Sequence, residues 1–514
     1  MAAQDKAVYC NDDGWIIGAC DGELTPEAMW EQMIAPYGDT AVNTFLWSVG
    51  GHEVYDYETR VGERFGEQDL TEPDDIRKAQ NLARLIKEHG GPLTVVAGLC
   101  RRAGLRFLPS IRMNEHYDMD EAAPNYGRLR RENLHLLIGK GEDLPPGSLE
   151  WGIRTGLDYA LPEVRAHMLA VAAELAQNFN IDGLELDFMR HPAFFRREEA
   201  FAHAYLMTDL VAEMRRVLQA SGAKRELLVR VPPTLEDCRR IGLDVVGWMR
   251  QGLVDTVVGG GGFVPFSTPL ADFVGAARPA GCRVLGCFEA LRPFLDEEAM
   301  RAAAARYWAA GADGLYLFNY YSQANPWRRR VLGLLSNPPA LAGADKRYEL
   351  DCSPRPETPT QLWLSFRNAI PQAHLPLTLR PTAACGAVLE IEVSDDVEAA
   401  HAAGTLKGAV LGLGFEGLAA GDTVQVRFNG RPLGWEERCS PVEPWVRTEY
   451  EPDWNRHPSR MRAAPLGVEA VEWALAAAVL RRGVNRLELR LPDSDRSLVL
   501  LQVRLSLRYQ TPEK

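Results

Sequence analysis

From residue 8 to about residue 336 the chain alternates short apolar runs with stretches whose apolar residues recur at steps of three and four. Val8–Asn11, Val42–Trp47, Leu105–Asn114, Leu227–Val231, Asp255–Gly260, Arg283–Glu289 and Gly314–Tyr320 read as strands, and Ile181–Pro192 (IDGLELDFMRHP) carries another. Helices are predicted between them, the first from Thr25, where Thr-Pro-Glu suits a helix start. Asp75–His89, Leu93–Ala103, Pro162–Phe179, about Glu198–Leu218, Gly242–Gln251, Leu270–Ala277, Asp296–Ala310 and Pro326–Leu335 follow. Eight strand-then-helix units predict a parallel sheet closed into a (β/α)8 barrel. Ala312-Asp-Gly-Leu-Tyr-Leu at the eighth strand echoes Ile181-Asp-Gly-Leu-Glu-Leu at the fourth, as half-barrel duplication would produce.

After Ser336 the period changes. Asn337-Pro-Pro and Ser353-Pro-Arg-Pro-Glu-Thr-Pro-Thr read as linkers. Beyond them Gln361–Phe366, Leu375–Leu379, Val388–Val393, Thr423–Phe428, Arg486–Leu491 and Leu498–Arg508 alternate, and Asn429-Gly430 is a hairpin turn signal. An antiparallel β-sandwich is predicted, with a helical segment competing only near Glu469–Arg481. The expected division is a barrel domain over 1–340 and a sandwich domain over 341–514.

Composition narrows the function classes. The 514 residues are 46% hydrophobic and 25% charged, as in soluble globular proteins. A net charge of -13 without basic blocks argues against nucleic acid as a partner. No apolar run is long enough to span a bilayer, so no membrane partner is expected. The start, MAAQDKAVYC, lacks the pattern of a secretory signal, and nine scattered cysteines suit reduced thiols, so a cytoplasmic location is expected. Homo-oligomers remain open.

The candidate chemistry follows from the barrel, whose working residues lie at the C-terminal ends of the strands. In the fourth strand, Leu184, Leu186 and Phe188 share one face while Glu185 and Asp187 share the other. Two carboxylates on the inner face need charged partners or a chemical purpose. Other polar residues at strand ends are Asn11, Asp12 and Asp13 from the first unit, Trp47 and His52 from the second, and Arg112, Asn114, Glu115 and His116 from the third. Arg190 and His191 follow the fourth strand, Arg230 ends the fifth, Glu289 the seventh, and Asn319, Tyr320 and Tyr321 the eighth. The sixth supplies Gly259–Gly262. Carboxylates from nonadjacent strands facing one cavity fit glycosidic bond cleavage, where one acid protonates the leaving oxygen and another serves the oxocarbenium-like carbon. Asp187 and Glu289 are the expected pair, with Glu185 orienting an arginine or raising the proton affinity of Asp187. Trp47, Tyr320 and Tyr321 can stack on sugar rings. Asp12, Asp13, Arg112, Asn114, His116, Arg190, His191, Arg230 and Asn319 are the expected further substrate contacts. Asp12, Asp13, His116 and His191 lack tight ligand spacing, so neither metal nor cofactor is expected.

The barrel resembles the family-10-like glycosyl hydrolases over about two-thirds of the chain. The resemblance rests on Ser110-Ile-Arg-Met-Asn114, Leu161-Pro-Glu-Val-Arg165, Asp182-Gly-Leu-Glu-Leu-Asp187, and Gly242-Leu-Asp-Val-Val-Gly-Trp248 before a Leu-Val-Asp strand. It implies a (β/α)8 glycosidase with a β-sandwich module. The acidic strand is also similar to the family-18 chitinase pattern, in which two strand acids precede a catalytic Glu. Met189 stands in that Glu's place, so chitinase-type substrate-assisted catalysis is not expected. The many retaining barrel glycosidases with an Asn-Glu pair at the fourth strand are not matched either.

The resulting expectation is a glycoside hydrolase acting on an oligo- or polysaccharide, with Arg112, Arg190 and Arg230 suited to a uronate or sulfate. The alternatives are a lyase or metal-assisted hydrolase, a sugar-binding barrel without turnover, or an interior salt-bridge network in which these arginines only neutralise the acids. Trp435, Trp445 and Trp454 are candidates for a sugar surface on the sandwich, with core packing as the competing assignment.

Overall fold

The computed structural model describes residues 7–20, 22–115, 123–220, 222, 224–260, 268–289, 296–320, 326–350, 352, 364, 367–370, 373–381, 386–453, 457–492 and 494–509, and only the backbone at 326 and within 446–466. Eight parallel strands close on one another: β1 (Ala7–Asp12), β2 (Val42–Ser48), β3 (Arg106–Arg112), β4 (Gly183–Asp187), β5 (Glu226–Val231), β6 (Thr256–Gly259), β7 (Arg283–Glu289) and β8 (Gly314–Phe318). Each pairs with its neighbours in sequence, and β8 closes on β1. The long helices match the predicted periodicity: α1 (Pro73–His89), α2 (Pro92–Ala103), α3 (Pro162–Asn178), α4 (Ala204–Ala220), α5 (Glu297–Ala310) and α6 (Pro326–Leu335). The helix α4 starts later than expected, because 198–203 form turns.

Side-chain alternation sorts each strand into two faces. Tyr9, Leu46, Leu108, Leu228, Val258, Leu285, Tyr316 and Phe318 pack inside the barrel, while Val8, Phe45, Trp47, Leu184, Leu186, Phe188, Val229 and Leu317 pack outward against the helices. The N-terminal end of the lumen is closed by charge. Glu226 meets Arg106 and Arg283 at 2.6 Å each, and Thr256 Oγ1 donates to it at 2.5 Å. That leaves the opposite end, where the strands finish, for ligands.

Apart from a short parallel pair in the loop after β2, Val54–Tyr55 with Glu63–Arg64, the remaining described strands are antiparallel and form two sheets. One holds β9 (Lys346–Glu349), β10 (Leu377–Leu379), β12 (Leu406–Glu416), β15 (Trp445–Asp453), β16 (His457–Leu475) and β18 (Leu498–Tyr509). The other holds β11 (Ala387–Val393), β13 (Gln425–Phe428), β14 (Arg431–Leu433) and β17 (Gly483–Arg490). Leu389, Ile391, Leu411, Leu413, Leu487, Leu489 and Leu505 from both sheets share one core, so they form a sandwich. Asn429-Gly430 joins β13 to β14, both residues with positive φ (49° and 79°), as a tight hairpin requires. The helix expected near Glu469–Arg481 is instead the end of β16 and a short turn. Val471, Trp473 and Leu475 are buried alternately, with period two. The predicted strand Gln361–Phe366 lies outside the described residues except Leu364, which is helical. The sandwich docks on α5, where Arg347 meets Asp296 and Arg508 meets Glu298, both at 2.6 Å, and Ala302 enters the sandwich core. Among the described residues no helix is long and apolar enough to cross a membrane.

Candidate active site

Register assembles a charged cluster at the C-terminal rim. Arg112 on β3, Asp187 on β4 and Arg230 on β5 are paired laterally, and Glu289 on β7 lies beside Phe318 on β8. All point inward because each stands an even number of residues from a lumen-facing neighbour. Arg230 donates from Nε to Asp187 Oδ1 at 2.9 Å and from Nη2 to Oδ2 at 2.8 Å. Its guanidinium lies 3.7 Å over the Phe318 ring, and its Nη1 is 4.0 Å from Glu289 Oε2. Burial opposes the Arg230 charge, but Asp187 foremost, together with Tyr316 and Cys287, more than offsets it and holds the guanidinium protonated.

Asp187 also accepts from the backbone N–H groups of Met189 and Arg190, both at 3.0 Å. Four hydrogen bonds and 1% exposure engage both of its oxygens within the protein. Asp187, an expected catalytic carboxyl, is thus tied to Arg230 and to the backbone of Met189 and Arg190. It anchors Arg230 and the start of the following loop. Glu185 sits one pleat deeper and is fully buried, accepting from Tyr316 Oη at 2.6 Å and Asn11 Nδ2 at 3.2 Å. Burial first, and the Asp187 charge second, push its carboxyl up to about 7. Glu289 is 5% exposed.

A second group of charges joins from the loops. Burial and then Arg112 pull Arg190 down to about 9, while Glu289 and Glu115 support its charge. Glu115, raised by burial, is flanked by Arg112, Arg130 and Arg190, with His52 Nδ1 at 3.9 Å. No described residue accepts a hydrogen bond from Arg112 Nε. Arg130 pairs with Glu53 behind this cluster. Neither residue shows in the sequence pattern, because Glu53 lies in a bend and Arg130 in a five-residue helix (Arg128–Glu132) too short to carry a periodic signal. Tyr316 carried a signal, since the repeated hexad puts it at the position of Glu185.

Several predicted contacts point elsewhere. Trp47 is fully buried on the outer face of β2, where it packs under Gly14, so it offers no face to a sugar. Tyr320 is turned outward where Asn319, with φ 49°, redirects the chain, and its hydroxyl donates to Arg328 O at 2.7 Å. Asp12 also faces outward. Its Oδ1 accepts from Gly14 N at 2.8 Å, and burial with the neighbouring Asp13 pushes its carboxyl up to about 8. Asn114 uses its whole amide on backbone: Nδ2 donates to Leu157 O and Ala193 O at 2.9 and 2.7 Å, and Oδ1 accepts from Leu157 N and Glu115 N. Asp13 Oδ2 accepts from Asn319 Nδ2 at 3.1 Å, and His191 is fully buried. His116 and Tyr321 lie outside the described residues, as do Gly261, Gly262 and Trp454. In the sandwich, Trp435 packs on Trp473 and Trp445 lies 4.0 Å beneath the Arg504 guanidinium.

No family model matches the chain, and no curated protein matches it. Among solved structures, it is similar to the glycoside hydrolase domain of PgaB (BpsB) from Bordetella bronchiseptica, at 14% identity over 64% of this chain and 99% of that one, TM-score 0.41. It is also similar to alpha-L-fucosidase isoenzyme 2 from Paenibacillus thiaminolyticus, at 12% identity over 65% of this chain, TM-score 0.42; this chain spans about half (49%) of the fucosidase. A Group IV chitinase from Ostrinia furnacalis is similar at 12% identity over 65% of this chain and all (100%) of that one, TM-score 0.35. At these identities and scores the likenesses assign neither family nor activity, and family 10 in particular gains no support.

Proposed function

We propose that this chain is a glycoside hydrolase acting on an oligo- or polysaccharide that carries uronate or sulfate groups. The observation that carries the reading is the meeting of carboxylates from the fourth and seventh strands at one guanidinium, Arg230, at the strand C-termini. In this reading Glu289 is the carboxylate that serves the reacting carbon, and the Asp187–Arg230 pair orients it. Three arginines at one rim, with Arg112 Nε lacking a described acceptor, support an anionic sugar. A second reading, saccharide binding without turnover, is favoured by the four hydrogen bonds that occupy Asp187. Incubation with chromogenic glycosides and with acidic and neutral polysaccharides, followed by product analysis, tests the proposal. New reducing ends from acidic substrates support it. Binding without product supports the second reading, and ultraviolet-absorbing unsaturated products would replace hydrolysis with elimination.

A further inference from the structure

The loop after β4 carries Arg190 and His191, and side chains hold it at both ends. Asp187 accepts from Met189 N and Arg190 N at its start. At its far end Asn114 Nδ2 donates to Ala193 O at 2.7 Å, and Asn368 Nδ2 donates to Pro192 O at 3.0 Å. Two asparagines therefore grip consecutive carbonyls of one loop. The first comes from the barrel itself. The second comes from 367–370, beyond α6 and inside the span expected to belong wholly to the sandwich.

This segment is not a loose tether. Asn368 is 5% exposed, and Ala369 and Ile370 belong to the same apolar core as the outer faces of the barrel strands. Arg240 Nη1 donates to Ala369 O at 3.4 Å, and Leu364 lies so close to Gly152 that a Cβ there would stand 2.3 Å from its own. Burying a donor this deeply is favourable only when it is satisfied, and Pro192 O satisfies it.

We propose that Asn368 is a positioning residue for Arg190, so that the rim of the barrel is completed by chain beyond residue 340. Catalytic and binding groups must be held to within a fraction of an ångström, and loops achieve this only through such supporting bonds. The inference rests on the proposed function only in taking Arg190 as the reader of an anionic sugar. The hold on the loop is independent of it.

The test uses full-length Asn368→Asp, which keeps the shape and loses the donor, and Asn368→Ser, which keeps a shorter donor if the first variant fails to fold. Hydrogen–deuterium exchange over 188–195 should speed up about tenfold in Asn368→Asp and less in Asn368→Ser. Unchanged exchange overturns the proposal. Binding of trigalacturonic acid is then measured in a cycle with Arg190→Ala. Asn368→Asp should weaken it about fivefold when Arg190 is present and not at all when it is absent. Equal losses in both backgrounds overturn the proposal, because Asn368 would then act without Arg190. If the wild-type chain shows no affinity for trigalacturonic acid, the acidic-sugar reading of Arg190 falls, and the positioning role assigned to Asn368 falls with it. In that case faster exchange would show only that Asn368 braces the loop.

Discussion

Arg230 and Asp187 stand side by side on adjacent strands and meet through two parallel hydrogen bonds, with neither side chain open to solvent. A buried bidentate pair of this kind adds little net stability over well-packed apolar groups, yet breaking one side is severe. Arg230→Ala should therefore destabilise the fold by about 3–5 kcal/mol, because Asp187 is left charged and buried. Replacing both, as Asp187→Leu with Arg230→Met, should recover most of that loss. Chemical denaturation of the three proteins measures it, and a double variant as unstable as the single would show that the pair is not coupled.

Stability should depend on pH through two buried acids. Glu185 is raised to about 7 from 4.5 and Asp12 to about 8 from 3.8. A raised carboxyl holds its proton in the folded state after the unfolded chain has released it. The stabilisation is complete below the unfolded values and is lost as pH rises through 7 and 8. The denaturation midpoint should fall between pH 5 and pH 8. Glu185→Gln should remove a share of that fall on the order of 2 kcal/mol, since the amide mimics the protonated acid. A slope unchanged in the variant would contradict the assignment.

Gly183 and Gly314 stand third in the repeated hexads, directly after aspartate, and both face a neighbouring strand too closely for any side chain. A Cβ would lie 2.3 Å from Glu226 O at Gly183 and 2.6 Å from Ala7 O at Gly314. The preceding aspartates share a role as well: Asp182 Oδ2 accepts from Phe107 N at 2.8 Å, and Asp313 Oδ2 from Val284 N at 2.9 Å. Gly183→Ala and Gly314→Ala should each cost about 1–3 kcal/mol through backbone displacement. Thermal melts that match the wild type would show that the strands can part without penalty.

The barrel was legible because its strands are buried on both faces and bounded by helices of clear period, and Arg283–Glu289 matched to the residue. The inward direction of Glu185 and Asp187 was legible from alternation alone. What alternation could not supply was the partner. Asp187 and Arg230 are 43 residues apart, and only register brings them together. Trp47 and Tyr320 were misplaced for complementary reasons. Trp47 lies in a regular strand, at a position of outward parity. Tyr320 follows the break at Asn319, after which parity no longer applies. In the sandwich, β12 went unseen because Gly408, Gly412 and Gly414 interrupt its apolar run. The reach of 367–370 into the barrel follows a proline-rich stretch that reads as a boundary.

The arginines at the rim should show in selectivity. Arg112→Gln and Arg190→Gln should each weaken an acidic oligosaccharide about tenfold or more while leaving a neutral one within a factor of about two. Lysine should restore only part of the loss, because it lacks the planar fork. Calorimetric titration with both ligands reads this out. Equal losses for the two would remove the anionic sugar from the account.

The central claim is that Glu289 works on a glycosidic bond. It is tested most directly by following the reducing ends released from an acidic oligosaccharide by the wild-type chain and by Glu289→Gln, with binding to each measured in parallel. The account predicts steady release by the wild type and a loss of about a thousandfold or more in the variant, with affinity retained. Release by Glu289→Gln at the wild-type rate would contradict it.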